Sequence, residues 1–304
     1  MSETTGTTVL RTEVQVDGET ASYLTVEQAG PVVLLLHGTY WSRVWLPVLD
    51  KLAASGLRPV AVDLPGLGRS AGELTLETAT VPALAAWTER FLDGIGVGGP
   101  VMVAGHDIGG AVAQRLLADG GIEVERLALA NSVTFDSWPV PTVARFSDPA
   151  VIASTPAGEL LAARRAATAK ALARPASEEE IEEYVDPWRD PRVCRSWMAL
   201  AGAADSKYTL ELLPALRAST VPKLLVWGED DTFQPVTYAE RFAAEIPDTT
   251  LVRVPEAGHI PMENAPDAVA DALVTFFTAP ARQADTRSGR SSLWPPEERA
   301  VPDP

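Results

Sequence analysis

Val101-Met-Val-Ala-Gly105-His106-Asp107-Ile108-Gly109-Gly110 decides how this chain is read. Four apolar residues suit a buried strand, the glycines suit a sharp turn, and Ile108–Leu117 continues as a helix. The motif is Gly-x-Asp-x-Gly between a strand and a helix. Such a turn lifts residue 107 above the strand end. It also aims the Ile108 N–H at the same point, where a helix N-terminus favours negative charge. An Asp ahead of a helix is often only an N-cap, but the glycines and the strand favour a nucleophile. A carboxylate is already anionic at pH 7, its unperturbed pKa being about 4. It can attack an electrophilic sp3 carbon without a base to deprotonate it. The product is an ester to the protein itself, which water must cleave. An aspartate here therefore points to breaking a C–O or carbon–halogen bond rather than to ordinary ester or peptide cleavage.

Outward from this turn, strand-like and helix-like segments alternate. Thr12–Val16 and Ala21–Val26 flank Asp17-Gly18, a hairpin signal. The apolar runs Pro31–Leu36, Val60–Asp63, Val101–Ala104, Leu127–Ala130 and Leu224–Trp227 suit strands buried on both faces, and Thr250–Val254 is a shorter case. Helices are predicted over Val44–Ala54, Val81–Leu92, Ile108–Leu117, Val236–Ile246 and Asp267–Phe277. The fold class is α/β, with a mostly parallel sheet covered on both sides. Between Val133 and Ser219 the alternation gives way to helix signals, including a capping box at Ser177 and Glu180 and an N-cap at Asp190 before Pro191. Residues 1–132 and 220–280 are thus expected to form the core, 133–219 an inserted helical lid, and 281–304 a loosely ordered tail rich in Arg, Ser, Pro and Glu.

Composition narrows the partners. The 304 residues carry 25 basic and 41 acidic side chains, a formal charge of −16, which disfavours nucleic acid and anionic membranes. The 46% hydrophobic content is that of a globular protein. The single cysteine, Cys194, cannot form an intrachain disulfide and reads as core on a helix face. With no apolar leader and no run of about 18 apolar residues, a cytoplasmic location is expected. Three scattered histidines and one cysteine make no metal site, and no cofactor is implied.

Several motifs, in this order, give the chain a specific resemblance over roughly residues 10–280. They are Leu36-His37-Gly38, Asp63-Leu-Pro-Gly-Leu-Gly-Arg69-Ser70, Gly105–Gly110, Trp227-Gly228-Glu229-Asp230-Asp231 and Glu256-Ala-Gly-His259. Together they resemble the α/β-hydrolase fold, in the aspartate-nucleophile branch of epoxide hydrolases and haloalkane and haloacetate dehalogenases. The resemblance implies an eight-stranded sheet, Asp107 as nucleophile and His259 as the base that activates water. It implies Asp231 as the acid that orients His259, with Asp230 and Glu229 as neighbouring alternatives. Some relatives carry that acid one strand earlier, where this chain has Asn131. The oxyanion donors map to the backbone N–H groups of Thr39 and Ile108. His37 and His106 are expected to hold backbone rather than move protons.

Departures from the family pattern bear on the leaving group. Tyr40 stands where many relatives have proline. Ile108 replaces the Trp of haloalkane dehalogenases and the Arg of haloacetate dehalogenases, and Thr39 replaces a frequent Asn. A halide would then need Trp41 or a lid tryptophan. Epoxide opening needs a donor to the ring oxygen, for which Tyr184, Tyr208 and Tyr40 are candidates. Of the eight tryptophans, Trp41 and Trp45 follow the oxyanion loop and Trp138, Trp188 and Trp197 lie in the lid. Trp41 and Trp188 join the tyrosines as expected substrate contacts in an apolar pocket. The expectation is a hydrolase converting an apolar epoxide to a diol, with hydrolytic dehalogenation second. An esterase or lactonase ranks lower, as does a ligand-binding protein on the same scaffold. A small apolar substrate and water are the expected partners, with homodimerisation left open.

Overall fold

The computed structural model describes residues 8–280; the expected tail, 281–304, lies outside them. The chain enters through a hairpin, β1 (Val9–Val16) and β2 (Glu19–Val26). Its turn residues Asp17 and Gly18 both have positive φ, the conformation a tight two-residue hairpin needs and Gly supplies freely. Alternation follows: β3 (Val32–Leu36), α1 (Leu46–Ala54), β4 (Arg58–Val62), α2 (Val81–Gly94), β5 (Val101–Asp107), α3 (Ile108–Asp119) and β6 (Val124–Ser132). The expected helix from Val44 is split into a 3-10 turn at Ser42–Trp45 and α1. Pro47 explains the break, because its ring would meet the carbonyl of Arg43 in an unbroken α-helix.

After β6 come only helices among the labelled elements, α4 (Pro149–Ser154), α5 (Ala157–Leu172), α6 (Glu178–Val185), α7 (Pro191–Gly202), α8 (Lys207–Leu210) and α9 (Leu213–Ala218). The Ser177 hydroxyl accepts the Glu180 N–H at 3.1 Å, and the Asp190 carboxylate accepts the Arg192 N–H at 2.8 Å. Only half of the expected capping box forms, since the Glu180 carboxylate turns to Arg174. The sheet resumes with β7 (Lys223–Gly228), α10 (Val236–Glu245), β8 (Thr249–Val254), α11 (Pro261–Asn264) and α12 (Pro266–Phe277).

The eight strands form one sheet in the order β1-β2-β4-β3-β5-β6-β7-β8, antiparallel at the hairpin end and parallel from β4 onward. Parallel neighbours need crossovers, and helices supply them. The strand period of two divides the apolar side chains into two layers. Leu34, Leu36, Val103, Leu127 and Leu225 face α2 and α3 through Leu84, Phe91, Val112 and Leu116. Val33, Leu35, Met102, Leu224 and Val226 face α1 and α12 through Leu49, Leu52, Val269 and Leu273. Cys194 is buried, its thiol pushed up to about 11 by burial.

This register gathers the site. Leu36 pairs with Gly105, Gly105 with Leu129, and Gly228 with Val254. Asp107 and Asn131 at the ends of β5 and β6, and the loops carrying Thr39, Asp231 and His259, thus meet at the C-terminal edge of the sheet, where open parallel sheets place their crevices.

Candidate active site

Asp107 ends β5 with φ 53° and ψ −126°. A non-glycine residue held there stores roughly 1–3 kcal/mol of strain, which tight surroundings must maintain. Those surroundings are backbone. A Cβ on Gly109 would sit 2.5 Å from the Leu36 carbonyl oxygen. A Cβ on Gly38 would sit 2.5 Å from the Ile108 nitrogen and 2.6 Å from Asp107 Oδ2. The β3 loop can therefore press onto the β5 turn only because both positions are glycine.

That approach sets the donors. The Thr39 N–H and the Thr39 hydroxyl both donate to Asp107 Oδ2, at 2.9 and 2.7 Å. Among the described residues no hydrogen bond reaches Asp107 Oδ1, so one carboxylate oxygen is held and the other is free. The Ile108 N–H opens α3 and has no intrahelical carbonyl to engage; its nitrogen and Oδ2 both crowd the Gly38 position.

His259 Nδ1 donates to Asp231 Oδ2 at 2.8 Å, and its Nε2 lies 4.0 Å from Asp107 Oδ2. Of the three acids after β7, Asp231 makes this contact. Glu229 pairs with Arg253 at the surface, and the Asp230 N–H donates to the Ala257 carbonyl. Burial pushes the Asp231 carboxyl up, but the His259 ring, the Asn131 amide and the Gln234 backbone outweigh it and hold it below its usual range. Burial pulls His259 down, yet the charges of Asp231 and Asp107 hold it above 6.5 against the opposing charge of Arg164.

Asn131 occupies the alternative acid position. Its Nδ2 donates to Asp231 Oδ2 at 2.8 Å, and its Oδ1 accepts the Gly228 N–H at 2.9 Å. It steadies the acid rather than replacing it. His106 donates Nε2–H to the His259 carbonyl at 2.7 Å. Burial and the neighbouring His259 charge lower it to about 4, so it stays neutral. His37 Nε2 accepts the Leu64 N–H at 2.9 Å, and burial lowers its pKa too.

A cavity of about 360 Å³ opens over Asp107 and His259. Thr39, Tyr40 and Ile108 line it from the core, and Trp138, Phe146, Leu160, Arg164 and Trp197 from the segment between β6 and β7. Its walls are mostly apolar, as in small-molecule sites. Four expected substrate contacts do not line it. Trp41 turns its indole N–H to the Tyr184 carbonyl at 3.1 Å and lies under Arg11 and Arg69. The Tyr184 hydroxyl is spent on Glu263 at 2.6 Å. Trp188 is buried behind Arg164, and Tyr208 packs at the edge of the core under Lys207. Each is drawn off by a closer packing or polar partner, and of the five expected contacts Tyr40 alone meets the cavity. Burial raises the Tyr40 phenol, with Arg164 pulling the other way. The cavity-facing tryptophans are Trp138 and Trp197, but their indole N–H groups are committed to Thr209 Oγ1 at 2.8 Å and the Thr39 carbonyl at 3.1 Å.

Arg164, Phe233 and Gln234 on the cavity wall, and Asn131 behind it, were not among the candidates from sequence. A signal for Arg164 existed, since it stands four residues from both Leu160 and Thr168 on the buried side of α5. The alanine-rich helix around it has too little contrast to mark that face. Among the described residues no group of three or more His, Cys, Asp or Glu could hold a metal, and no helix is long and apolar enough to cross a membrane.

Three comparisons place the chain among known proteins. It is 28% identical to haloalkane dehalogenase 2 of Mycobacterium tuberculosis over 83% of this chain and 89% of that one. It is 29% identical to the pimeloyl-[acyl-carrier protein] methyl ester esterase of Pectobacterium atrosepticum, over 85% and 99%. A crystal structure of an α/β hydrolase fold protein from Burkholderia ambifaria superposes with a TM-score of 0.77 at 27% identity, covering 88% of this chain and 98% of that one. The alpha/beta hydrolase family model matches residues 33–272, and the chain belongs to that family.

Proposed function

We propose that this hydrolase displaces a leaving group from an sp3 carbon through a covalent ester on Asp107. The carrying observation is the unequal treatment of the two Asp107 oxygens. Oδ2 takes both Thr39 donors, while Oδ1 takes none. Oδ1 is then the oxygen that bonds to carbon as the leaving group departs with the bonding electrons. Oδ2 becomes the ester carbonyl oxygen, already seated among donors when water attacks and negative charge builds on it. One such donor is worth about 3 kcal/mol in comparable enzymes. His259 Nε2 takes the proton of that water, and Asp231 stabilises the imidazolium. Asp107 carries no charge in the ester, which removes one of the charges raising His259. The base is therefore easier to keep neutral in the step that uses it.

A halide on a small apolar substrate is the favoured leaving group. Two observations support it: the likeness to a haloalkane dehalogenase, and the loss of Tyr184 to Glu263, which removes a lid tyrosine from epoxide opening. Epoxide hydrolysis is the second reading, and Tyr40 favours it as the expected tyrosine that lines the cavity, although its hydroxyl also hydrogen-bonds Thr168 and Arg164. Halide release and diol formation, assayed side by side, separate the two.

A single turnover in oxygen-18 water tests the shared mechanism. The expected result is label in the Asp107 side chain, found by peptide mass analysis. Label in the product with none in Asp107 means direct attack by water and ends the covalent reading. His259→Gln should let the alkyl-enzyme accumulate as a mass increment on the peptide carrying Asp107.

A further inference from the structure

Arg164 reaches the cavity from α5 and is only 6% exposed. The rings of Tyr40, Trp188 and Trp197 lie 4.8, 5.1 and 4.8 Å from its guanidinium carbon. Its Nη2 donates to the Thr39 carbonyl at 3.0 Å, and its Nε has no partner. Among the described residues no carboxylate pairs with it; the acidic groups whose charges act on it are the Tyr40 phenol, which also hydrogen-bonds it, and the Asp107 carboxylate. A buried cation without a contacting carboxylate destabilises a fold, and an apolar side chain would fill the space better. The three rings and the Thr39 carbonyl offset part of that cost, but no carboxylate in contact neutralises the charge.

The charge flow of the reaction accounts for the cation. In the resting protein, Arg164 and Asp107 offset each other. When Asp107 Oδ1 bonds to carbon, the electron pair of the breaking bond leaves on the departing atom. Asp107 becomes a neutral ester, His259 is still neutral, and one negative charge has moved into the cavity. Something there must receive it. Ile108 has no side-chain donor, and the indole N–H groups of Trp41, Trp138 and Trp197 are committed elsewhere. Tyr40, Thr142 and the Gln234 amide also line the wall but are neutral; the cations there are Arg164 and, further along, half-exposed Arg145. Two arginines thus line a cavity with one acid, in a chain whose formal charge is −16. Low-dielectric walls concentrate such a local field.

We infer that Arg164 is the monoanion site of the cavity, taking the charge displaced from Asp107 on the leaving group. A carboxylate on the substrate is the other source of the same chemistry. This rests on the covalent reading above, because that reading supplies the charge movement.

Asp107→Asn tests it without turnover, since an uncharged residue 107 leaves Arg164 uncompensated, as the ester would. Chloride, bromide and acetate are titrated while indole fluorescence is followed, Trp138 and Trp197 being the reporters in the cavity wall. Bromide should quench saturably, at least about tenfold more tightly in Asp107→Asn than in the parent protein, because the parent carboxylate repels it. Adding Arg164→Met should abolish the saturation. Competition by chloride assigns the site to the leaving anion; saturation by acetate alone assigns it to a substrate carboxylate, and either supports the site. No saturable anion binding in Asp107→Asn overturns it even if Arg164→Met fails to fold. Binding that survives Arg164→Met in folded protein also overturns it, and leaves Arg164 a clamp on Thr39. Anion binding together with failed oxygen-18 labelling would remove the covalent chemistry and keep the site.

Discussion

The C-terminal edge of the sheet and the helical wall opposite it build one cavity by different rules. At the sheet edge, each functional group is fixed by backbone. Asp107 is held at positive φ by glycine-packed turns, and the Thr39 N–H arrives because Gly38 has no side chain. At the wall, the groups are side chains from α5, α7 and the connecting loops, and Arg164 and Trp197 reach back to the Thr39 carbonyl. Under the proposed mechanism the groups that make and break the ester sit on the backbone-fixed side, and those around the departing atom sit on the side-chain wall.

If that division is right, the largest effect belongs to Asp107→Asn. Asn tolerates positive φ better than most residues, so the fold should persist. Turnover should fall by about four orders of magnitude or more, as when a nucleophile is removed elsewhere. Activity within tenfold of the parent, with circular dichroism unchanged, would assign the chemistry to another residue. Gly38→Ala comes next. Its Cβ would press on the Ile108 nitrogen and Asp107 Oδ2, so either the β3 loop or the β5 turn must move. We expect about 1–3 kcal/mol of destabilisation in denaturant melts. Turnover should drop about a hundredfold, since Thr39 loses its reach to Oδ2. Full activity in the Gly38→Ala variant would show that the loop need not be seated on the turn.

The two regions also differed in how far the sequence disclosed them. Glycines, an aspartate and a histidine at strand ends carry local signals, because turn geometry restricts which residues fit. The strand order, which no local motif states, then brings the motif loops together. The wall has no such grammar. Trp41, Tyr184, Trp188 and Tyr208 have the right chemistry for a pocket, but a large amphipathic side chain goes wherever its polar tip finds a partner. Tyr184 found Glu263, and Trp41 found a carbonyl. Conversely, Arg164 sits among alanines, where its spacing from Leu160 and Thr168 gives too little contrast to separate a buried cation from an exposed one. Asn131 was passed over because an amide cannot replace a carboxylate; its use as a brace for Asp231 depends on two strands meeting in space.

The pH profile sharpens the sheet-edge side. His259 is held above 6.5 in the free protein and must be unprotonated to accept a proton from water. Turnover should therefore decline as pH falls through the His259 value of the alkyl-enzyme, which lies below that of the free protein because Asp107 no longer carries charge. The alkylation step needs only the Asp107 carboxylate and should persist to lower pH. Rapid-quench mass analysis at mildly acidic pH should then find alkyl-enzyme building up in the unmodified protein. A declining rate with no accumulation would place the titrating group in the first step instead.

The smallest effect should come from Tyr184→Phe, and it probes the wall most directly. The Tyr184 hydroxyl donates to Glu263, which also pairs with Arg43. Removing the hydroxyl leaves that carboxylate its arginine, so the loss should be about 1 kcal/mol of stability. Turnover should change less than about threefold, because the ring stays in place and the hydroxyl never faced the cavity. Tyr40→Phe is the contrast. Its ring lies edge-on to Tyr184, 5.8 Å between centroids, but Tyr40 lines the cavity beside Thr39. With an epoxide it should cost about 10²-fold or more in turnover, the range of a positioned general acid. With a haloalkane, whose departing halide needs no proton, it should cost little. Equal losses for the two tyrosines on one substrate would mean that the wall shares in catalysis as a unit, and the division between backbone-fixed edge and side-chain wall would fail.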